Sequence, residues 1–208
     1  TPRPVESYNA ETQAVIVRTT AVNRFDETFD DGAKAGLGAY WSAVSGNWGV
    51  QNGRYAVTNT SAGTYIATCG KNNFTAIADG TVIADVAFTT ATEVARATAS
   101  VVGRYASGNY YAARFDAKTN TVSIVRVFGG AETALASMNL KLDSRVTAFA
   151  GGLQSGPTAP HYKIALKMDG SSFSAYLAAI DPLAPDEVEL VKVLEAVDDD
   201  PPAGMPLQ

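Results

Sequence analysis

The residue types that most often carry catalytic chemistry are scarce and scattered in this chain. Among 208 residues there is one histidine, His161, and one cysteine, Cys69. A catalytic triad needs a nucleophile, a base and an acid in contact, and no serine or cysteine elbow accompanies His161. Zinc and redox metals need several His or Cys ligands, so such sites are excluded. Cys69 lies in an apolar run and is predicted to be a buried core residue. These residues favour a non-catalytic protein.

A second group of residues has the chemistry to hold a ligand. Four residues separate the apolar-alternating runs 110–116 and 121–128. If Asp116 pairs with Thr121, then Tyr110, Arg114 and Ser123 share one face of the strand pair. An aromatic ring, a guanidinium and a hydroxyl on the outer side of a sheet could bind a sugar by stacking and forked hydrogen bonds. The alternative is a solvent-facing strand pair with ordinary polar side chains. The opposite face is predicted to be core: Tyr111, Ala113, Phe115, Val122 and Ile124.

Strands must position these side chains, and strand patterns dominate the sequence. Val, Ile, Thr, Tyr and Phe recur with period two or in short runs, and Gly, Asn, Asp and Ser bound the runs. Hairpin turn pairs occur at Asn52-Gly53 and Asp169-Gly170, and residues 97–138 are predicted to form an antiparallel meander. The predicted strands are 13–20, 47–59, 64–69, 81–89, 97–105, 110–116, 121–128, 133–138, 145–150, 162–168, 172–178 and 188–194. So many short strands predict two stacked sheets.

Composition limits the fold class and the partners. Hydrophobic residues make up 46% of the chain and charged residues 18%, which is typical of a globular protein. The length favours one domain with appendages over two small domains. Lysine and arginine number 16 against 21 aspartates and glutamates, so the net charge of −5 argues against a nucleic-acid partner. No apolar run approaches the roughly 18 residues of a membrane span, and no membrane insertion is predicted.

The two ends of the chain differ from its middle. Residues 1–12 are polar with two prolines, and 198–208 combine aspartates with prolines. Both are predicted to be extended arms that a partner surface would order. The sequence therefore predicts an N-terminal arm with an edge strand over 1–24, a β-sandwich over 25–195 and a Pro/Asp-rich tail over 196–208. The apolar run 14–17 could pair with the sheet edge or with another subunit.

Four motifs in order along the chain resemble the concanavalin A-like, laminin G-like jelly-roll domains. They are an acidic F-D-D-G opening within 25–32, a G-x-W-x-V-x-N-G-x-Y hairpin over 46–55, the strand V-I-A-D-V over 82–86 and an R-Y-x-x-x-N-Y-Y hairpin over 104–111. The resemblance covers about residues 25–178 and implies an all-β, two-sheet antiparallel jelly-roll sandwich. Related domains are carbohydrate-binding modules, glycosidases, adhesion domains and virion surface domains, so the resemblance predicts fold more sharply than activity.

The resemblance also implies site chemistry. Many jelly-roll modules hold a structural calcium ion near their opening strand, and Asp26, Asp30 and Asp31 occupy the matching segment here. Their hard oxygen ligands suit calcium, although Asp-Asp-Gly is also an ordinary turn. Sandwich glycosidases carry an E-x-D-x-x-E strand, and this chain has none. Trp41 and Trp48 are predicted to pack in the core, with sugar stacking as the alternative.

Two functions follow as hypotheses. The first is a non-catalytic glycan-binding or adhesion domain of a virion, on a phage tail or capsid surface, or of another cell-surface-directed assembly. Its ligand would be a glycan or a bacterial cell-wall polysaccharide. The second is a purely structural virion protein that docks onto other subunits through its terminal arms. A glycoside hydrolase is the third and weakest hypothesis. The first two predict a virion or extracellular location and an oligomer or larger assembly.

Overall fold

The computed structural model describes residues 6–9, 14–17, 41–51, 54–57, 64–69, 78–88, 98–142, 149, 151–154, 159–180 and 188–206. These residues contain fourteen β-strands and no α-helix, and none of their segments is a helix long and apolar enough to cross a membrane. The prediction of an all-β protein is confirmed. Contacts divide the chain into two compact units, Thr1–Thr19 with Ala76–Gln208 and Thr20–Thr75. The domain boundaries drawn after residues 24 and 195 stay a prediction.

The strands follow the runs of alternating apolar residues. Their bounds are β1 Glu6–Asn9, β2 Ala14–Val17, β3 Trp41–Ser45, β4 Trp48–Gln51, β5 Arg54–Val57, β6 Ile66–Cys69, β7 Gly80–Val86, β8 Thr98–Ala106, β9 Asn109–Asp116, β10 Thr121–Phe128, β11 Ala131–Asn139, β12 His161–Asp169, β13 Ser172–Ile180 and β14 Val191–Val197.

Two four-stranded antiparallel sheets form the sandwich of the larger unit. Their strand orders are β11-β10-β9-β8 and β14-β13-β12-β7. The first sheet is the meander predicted over 97–138, since consecutive strands pair throughout it. Alternate residues of both sheets point inward and form one apolar core. Its fully buried members include Tyr111, Phe115, Ile124, Ile164, Leu166, Phe173 and Leu177.

The remaining strands form short two-stranded ladders. β1 pairs with β2, so the apolar run 14–17 has a strand partner from its own N-terminal segment. In the smaller unit, β3 pairs with β6 and β4 pairs with β5, and β3 was not predicted. The predicted strand 145–150 lies outside the described residues apart from Phe149.

Arg104 ties the two sheets of the sandwich together. It lies in a bulge between β8 and β9, at a φ of +50°, which is an uncommon conformation for a residue with a side chain. Only 2% of its side chain is exposed. The guanidinium donates hydrogen bonds to the carbonyl of Ala78 at 2.5 Å and to that of Gly170 at 2.7 Å, and it pairs with Asp79 at 2.9 Å.

The C-terminal segment corrects one expectation. The charge and proline content of residues 196–208 predicted an arm that a partner surface would order. Instead, Met205 is part of the sandwich core and Asp198 is buried. The Asp198 carboxylate accepts hydrogen bonds from Arg126 at 2.7 Å and from the Tyr111 hydroxyl at 2.7 Å. Residues 198–205 thus pack on the chain's own sandwich, because Met205 packs in its core and Asp198 pairs with Arg126.

Candidate functional site

The three residues predicted to bind a ligand lie on one face of the first sheet. In the β9–β10 pair, Asp116 lies opposite Thr121 and Arg114 lies opposite Ser123, as the sequence predicted. Because directly opposite residues share a face, Tyr110, Arg114 and Ser123 lie on the same side of the sheet. The predicted inner set, Tyr111, Ala113, Phe115, Val122 and Ile124, belongs to the core cluster. We call the other side the outer face.

Arg114 has a partner on the outer face that the sequence analysis did not predict. Its Nη1 and Nη2 donate hydrogen bonds to the two carboxylate oxygens of Glu132 at 2.6 and 2.5 Å. Such a forked pair fixes the plane of the guanidinium as well as its charge. The hydrogen bonds to Glu132 raise the pKa of Arg114. The two side chains remain partly open to solvent, with 29% of Arg114 and 41% of Glu132 exposed.

The pair crosses the sheet diagonally. Glu132 on β11 lies opposite Val127, whereas Arg114 on β9 lies opposite Ser123 on the same middle strand. The salt bridge therefore spans β10 at the level of Val125. Val125 and its neighbour Ala112 are buried although neither belongs to the sandwich core. Arg114 and Glu132 thus form a polar layer on a floor of small apolar side chains.

Tyr110 packs beside this pair. Its ring stacks on that of Tyr105 with 5.9 Å between centroids, and only 6% of the residue is exposed. Burial raises the pKa of Tyr110, while the Arg114 charge lowers it. In this conformation the Tyr110 ring packs beside the Arg114–Glu132 pair, and little of its surface is open for a sugar to stack on. Its role in ligand binding stays a prediction.

Hydroxyl groups on β8, β10 and β11 continue the polar layer on both sides of Arg114. Ser123 forms a hydrogen bond with Ser137 of β11 at 3.1 Å, and Ser100 of β8 lies opposite Arg114. Adjacent strands are about 4.8 Å apart, so hydroxyl and guanidinium groups recur at that spacing along the row. A hydroxyl both donates and accepts hydrogen bonds, and it can therefore pair with a sugar hydroxyl in either direction. We call Ser100, Arg114, Ser123, Ser137 and Glu132 the polar row.

The predicted calcium ligands lie outside the described residues. They are Asp26, Asp30 and Asp31, and calcium stays a prediction. Within the described ranges, no three His, Cys, Asp or Glu side chains converge as a metal site would require. The side chain of Cys69 is likewise outside the description, so its burial is untested.

The two tryptophans lie together in the smaller unit. Trp48 stacks on Tyr55 with 5.0 Å between ring centroids, and Trp41 lies tilted at 5.5 Å from the same ring. The Trp48 indole donates a hydrogen bond to the carbonyl of Ser45 at 2.8 Å. Trp48 lies opposite Val57 and Val50 opposite Tyr55, which is the register that a two-residue turn at Asn52-Gly53 gives. The rings are half-buried and pack on one another.

No family model and no curated protein matches the sequence. Among solved structures, it is similar to the carbohydrate binding module CBM66 from Bacillus subtilis, at 18% identity and a TM-score of 0.52. The match covers 76% of this chain and 80% of that one. The chain has the β-sandwich fold of a carbohydrate-binding module. At this identity the likeness shows the fold alone, and function has to be argued from the site.

Proposed function

We propose that this protein is a non-catalytic glycan-binding domain whose ligand lies on the polar row of the outer face. The observation that carries the proposal is the partly exposed Arg114–Glu132 pair, which hydroxyl groups flank on a sheet face outside the core. The similarity in fold to a carbohydrate-binding module supports the same function.

The geometry suits sugar hydroxyls. A guanidinium has five N–H donors, and the fork to Glu132 uses one hydrogen on each of its two terminal nitrogens. The remaining donors, together with the unused lone pairs of the carboxylate, are held at fixed positions by the pair itself. A sugar hydroxyl can accept from Arg114 and donate to Glu132. Preorganised groups of this kind lose little conformational entropy on binding.

The proposal also includes the biological setting of the protein. The resemblance to jelly-roll domains of phage tails and virion surfaces supports a place on a virion or another cell-surface-directed assembly. The ligand would then be a bacterial cell-wall polysaccharide or another surface glycan, and the protein would act outside the cell as part of a larger assembly. Docking through the C-terminal arm is less favoured, because residues 198–205 pack on the chain's own core.

A glycan array tests this proposal directly. The purified chain is screened with and without calcium, beside Arg114→Ala, Tyr110→Ala and Ser123→Ala. Lys163→Ala is the matched control, because Lys163 forms a cross-strand salt bridge with Asp85 at 2.9 Å on the other sheet. We expect binding that Arg114→Ala reduces at least tenfold and that Lys163→Ala leaves unchanged.

Two outcomes would contradict the proposal. One is the absence of binding on a broad array by a chain that circular dichroism shows to be folded; the structural assembly role would then be favoured. The other is binding that Arg114→Ala and Lys163→Ala reduce equally, which would place the ligand elsewhere. Binding that requires calcium would support the predicted site at Asp26, Asp30 and Asp31.

A further inference from the structure

The charges of the outer face point to a class of ligand. Among the outward-facing strand positions that the structure describes on the first sheet, Arg114 is the one cation, whereas Asp116 and Glu132 are anions. Lys118 and Lys141 belong to the turns at the Asp116 end of the sheet, away from the Arg114–Glu132 fork. Among the described residues of this face, the fork therefore has no surplus positive charge beside it.

The positive charge of Arg114 is already compensated. Both of its terminal nitrogens contact Glu132, one on each carboxylate oxygen. A carboxylate or sulfate on a ligand would compete with Glu132 for the same nitrogens and would approach it as a like charge. Like charges at contact distance repel, most strongly where water is partly excluded. A neutral hydroxyl meets no such repulsion and can use donor and acceptor together.

We propose that Glu132 is a specificity-determining residue, which restricts the polar row to neutral glycans and excludes those with carboxylate or sulfate groups. This inference rests on the proposed function, since it names the ligand class of the same site. Selection by a repulsive group is a common way to discriminate between similar ligands. Glu132 thus has two roles: it holds the guanidinium in place and removes its attraction for anions.

The decisive variant is Glu132→Gln. It keeps the size of the side chain and frees the guanidinium charge of Arg114. We expect binding to uronic-acid-containing, sialylated or sulfated glycans to appear, with at least a tenfold gain over wild type, and to weaken as salt rises. Affinity for neutral glycans should fall, because the carboxylate acceptor is lost. Titration calorimetry with a neutral oligosaccharide and its uronic-acid counterpart measures both changes.

Two further variants identify the cause of any gain. Asp85→Asn makes the same charge change on the other sheet, where Asp85 pairs with Lys163, and it should gain no affinity for acidic glycans. The double variant Arg114→Gln with Glu132→Gln should lose the gain, because no free guanidinium remains.

The outcomes separate this inference from the proposed function. If wild type binds acidic glycans through Arg114, or if Asp85→Asn gains as much as Glu132→Gln, the inference is overturned while glycan binding stands. If Glu132→Gln binds neutral glycans with an unchanged preference, the inference is again overturned. If neither wild type nor Glu132→Gln binds any glycan while both are folded, the proposed function itself fails.

Discussion

Two arginine–carboxylate pairs lie on opposite sides of the same sheet, and their surroundings differ. Arg126 faces inward and pairs with Asp198 at 2.7 Å, with 16% and 6% of the two side chains exposed. Arg114 faces outward and pairs with Glu132, with 29% and 41% exposed. The inner carboxylate also accepts the Tyr111 hydroxyl, whereas the outer one contacts solvent.

The two pairs have the same chemistry, but their different exposure to solvent gives them different roles. A buried charge depends on its partner because water cannot replace the partner, so breaking the pair costs stability. An exposed pair gains little because water solvates both ions. The inner pair therefore joins the C-terminal segment to β9 and β10, while the outer pair can exchange contacts with a ligand at little cost to the fold.

The largest expected effect is on the inner pair. Asp198→Ala leaves the largely buried Arg126 guanidinium without its counter-charge and with one remaining contact among the described residues, the Asp200 carbonyl at 3.3 Å. We expect the free energy of unfolding to fall by about 3 kcal/mol. Denaturant unfolding followed by circular dichroism measures the change. Asp199→Ala is the control, because Asp199 is exposed and should change stability by less than about 0.5 kcal/mol. Equal losses in the two variants would contradict the role of Asp198.

The second effect concerns Tyr111 and its pH dependence. Burial, and then the hydrogen bond to Asp198, raise the pKa of Tyr111 well above its usual value. The unfolded chain therefore loses this proton near pH 10, roughly the usual tyrosine pKa, while the folded chain keeps it. This contribution to stability is complete below about pH 10 and is lost as the pH rises further.

The test variant is Tyr111→Phe, which keeps the ring that stacks on Phe173 at 4.2 Å. We expect it to lose about 1 kcal/mol at neutral pH and to show a shallower decline of stability above about pH 10. Chemical unfolding at a series of pH values compares it with wild type and with Tyr105→Phe. A slope identical to that of wild type would show that Tyr111 does not contribute.

A smaller effect is expected for the outer pair. A double-mutant cycle with Arg114→Ala and Glu132→Ala should give a coupling energy below about 1 kcal/mol in unfolding experiments. The same variants should reduce glycan affinity at least tenfold under the proposed function. A coupling energy of several kcal/mol would make the outer pair a structural element, and the contrast between the two sides of the sheet would then disappear.

The smallest effect is expected for the salt bridge of the second sheet. Lys163 and Asp85 lie directly opposite on neighbouring strands and make one contact at 2.9 Å. Lys163→Ala should change the free energy of unfolding by less than about 0.5 kcal/mol and leave glycan binding unchanged. A loss of binding in this variant would indicate a ligand surface on the second sheet.

The polar row was predictable in part. Two local signals place Arg114 opposite Ser123: the period of two and the four-residue turn 117–120. The structure has this register. Glu132 had a signal as well, because a two-residue loop at Gly129-Gly130 places it opposite Val127. It was missed because the predicted strand began at residue 133. The salt bridge itself depends on side-chain reach across a strand, which no local pattern encodes.

The face on which Ser137 lies could not be predicted from the period of two. A regular ladder from the same loop would place Ser123 opposite Ala136 and turn Ser137 toward the core. A bulge at Ile124 and Val125 shifts the register by one residue. Met138 then lies opposite Val122, in the core cluster, and Ser137 joins the polar row. The apolar burial of Met138 favours the bulge, and burial is a property of the folded sandwich.

Local sequence patterns were enough to predict the strand class, the meander and the face on which Arg114 lies, because these depend on neighbours within one hairpin. The tertiary structure alone decided which carboxylates pair with the two arginines. Asp198 is 72 residues from Arg126 along the chain, and in the sequence it is one of three consecutive aspartates followed by prolines. Its burial follows from the packing of the C-terminal segment on the sandwich, because that contact supplies the partners that make a buried charge stable.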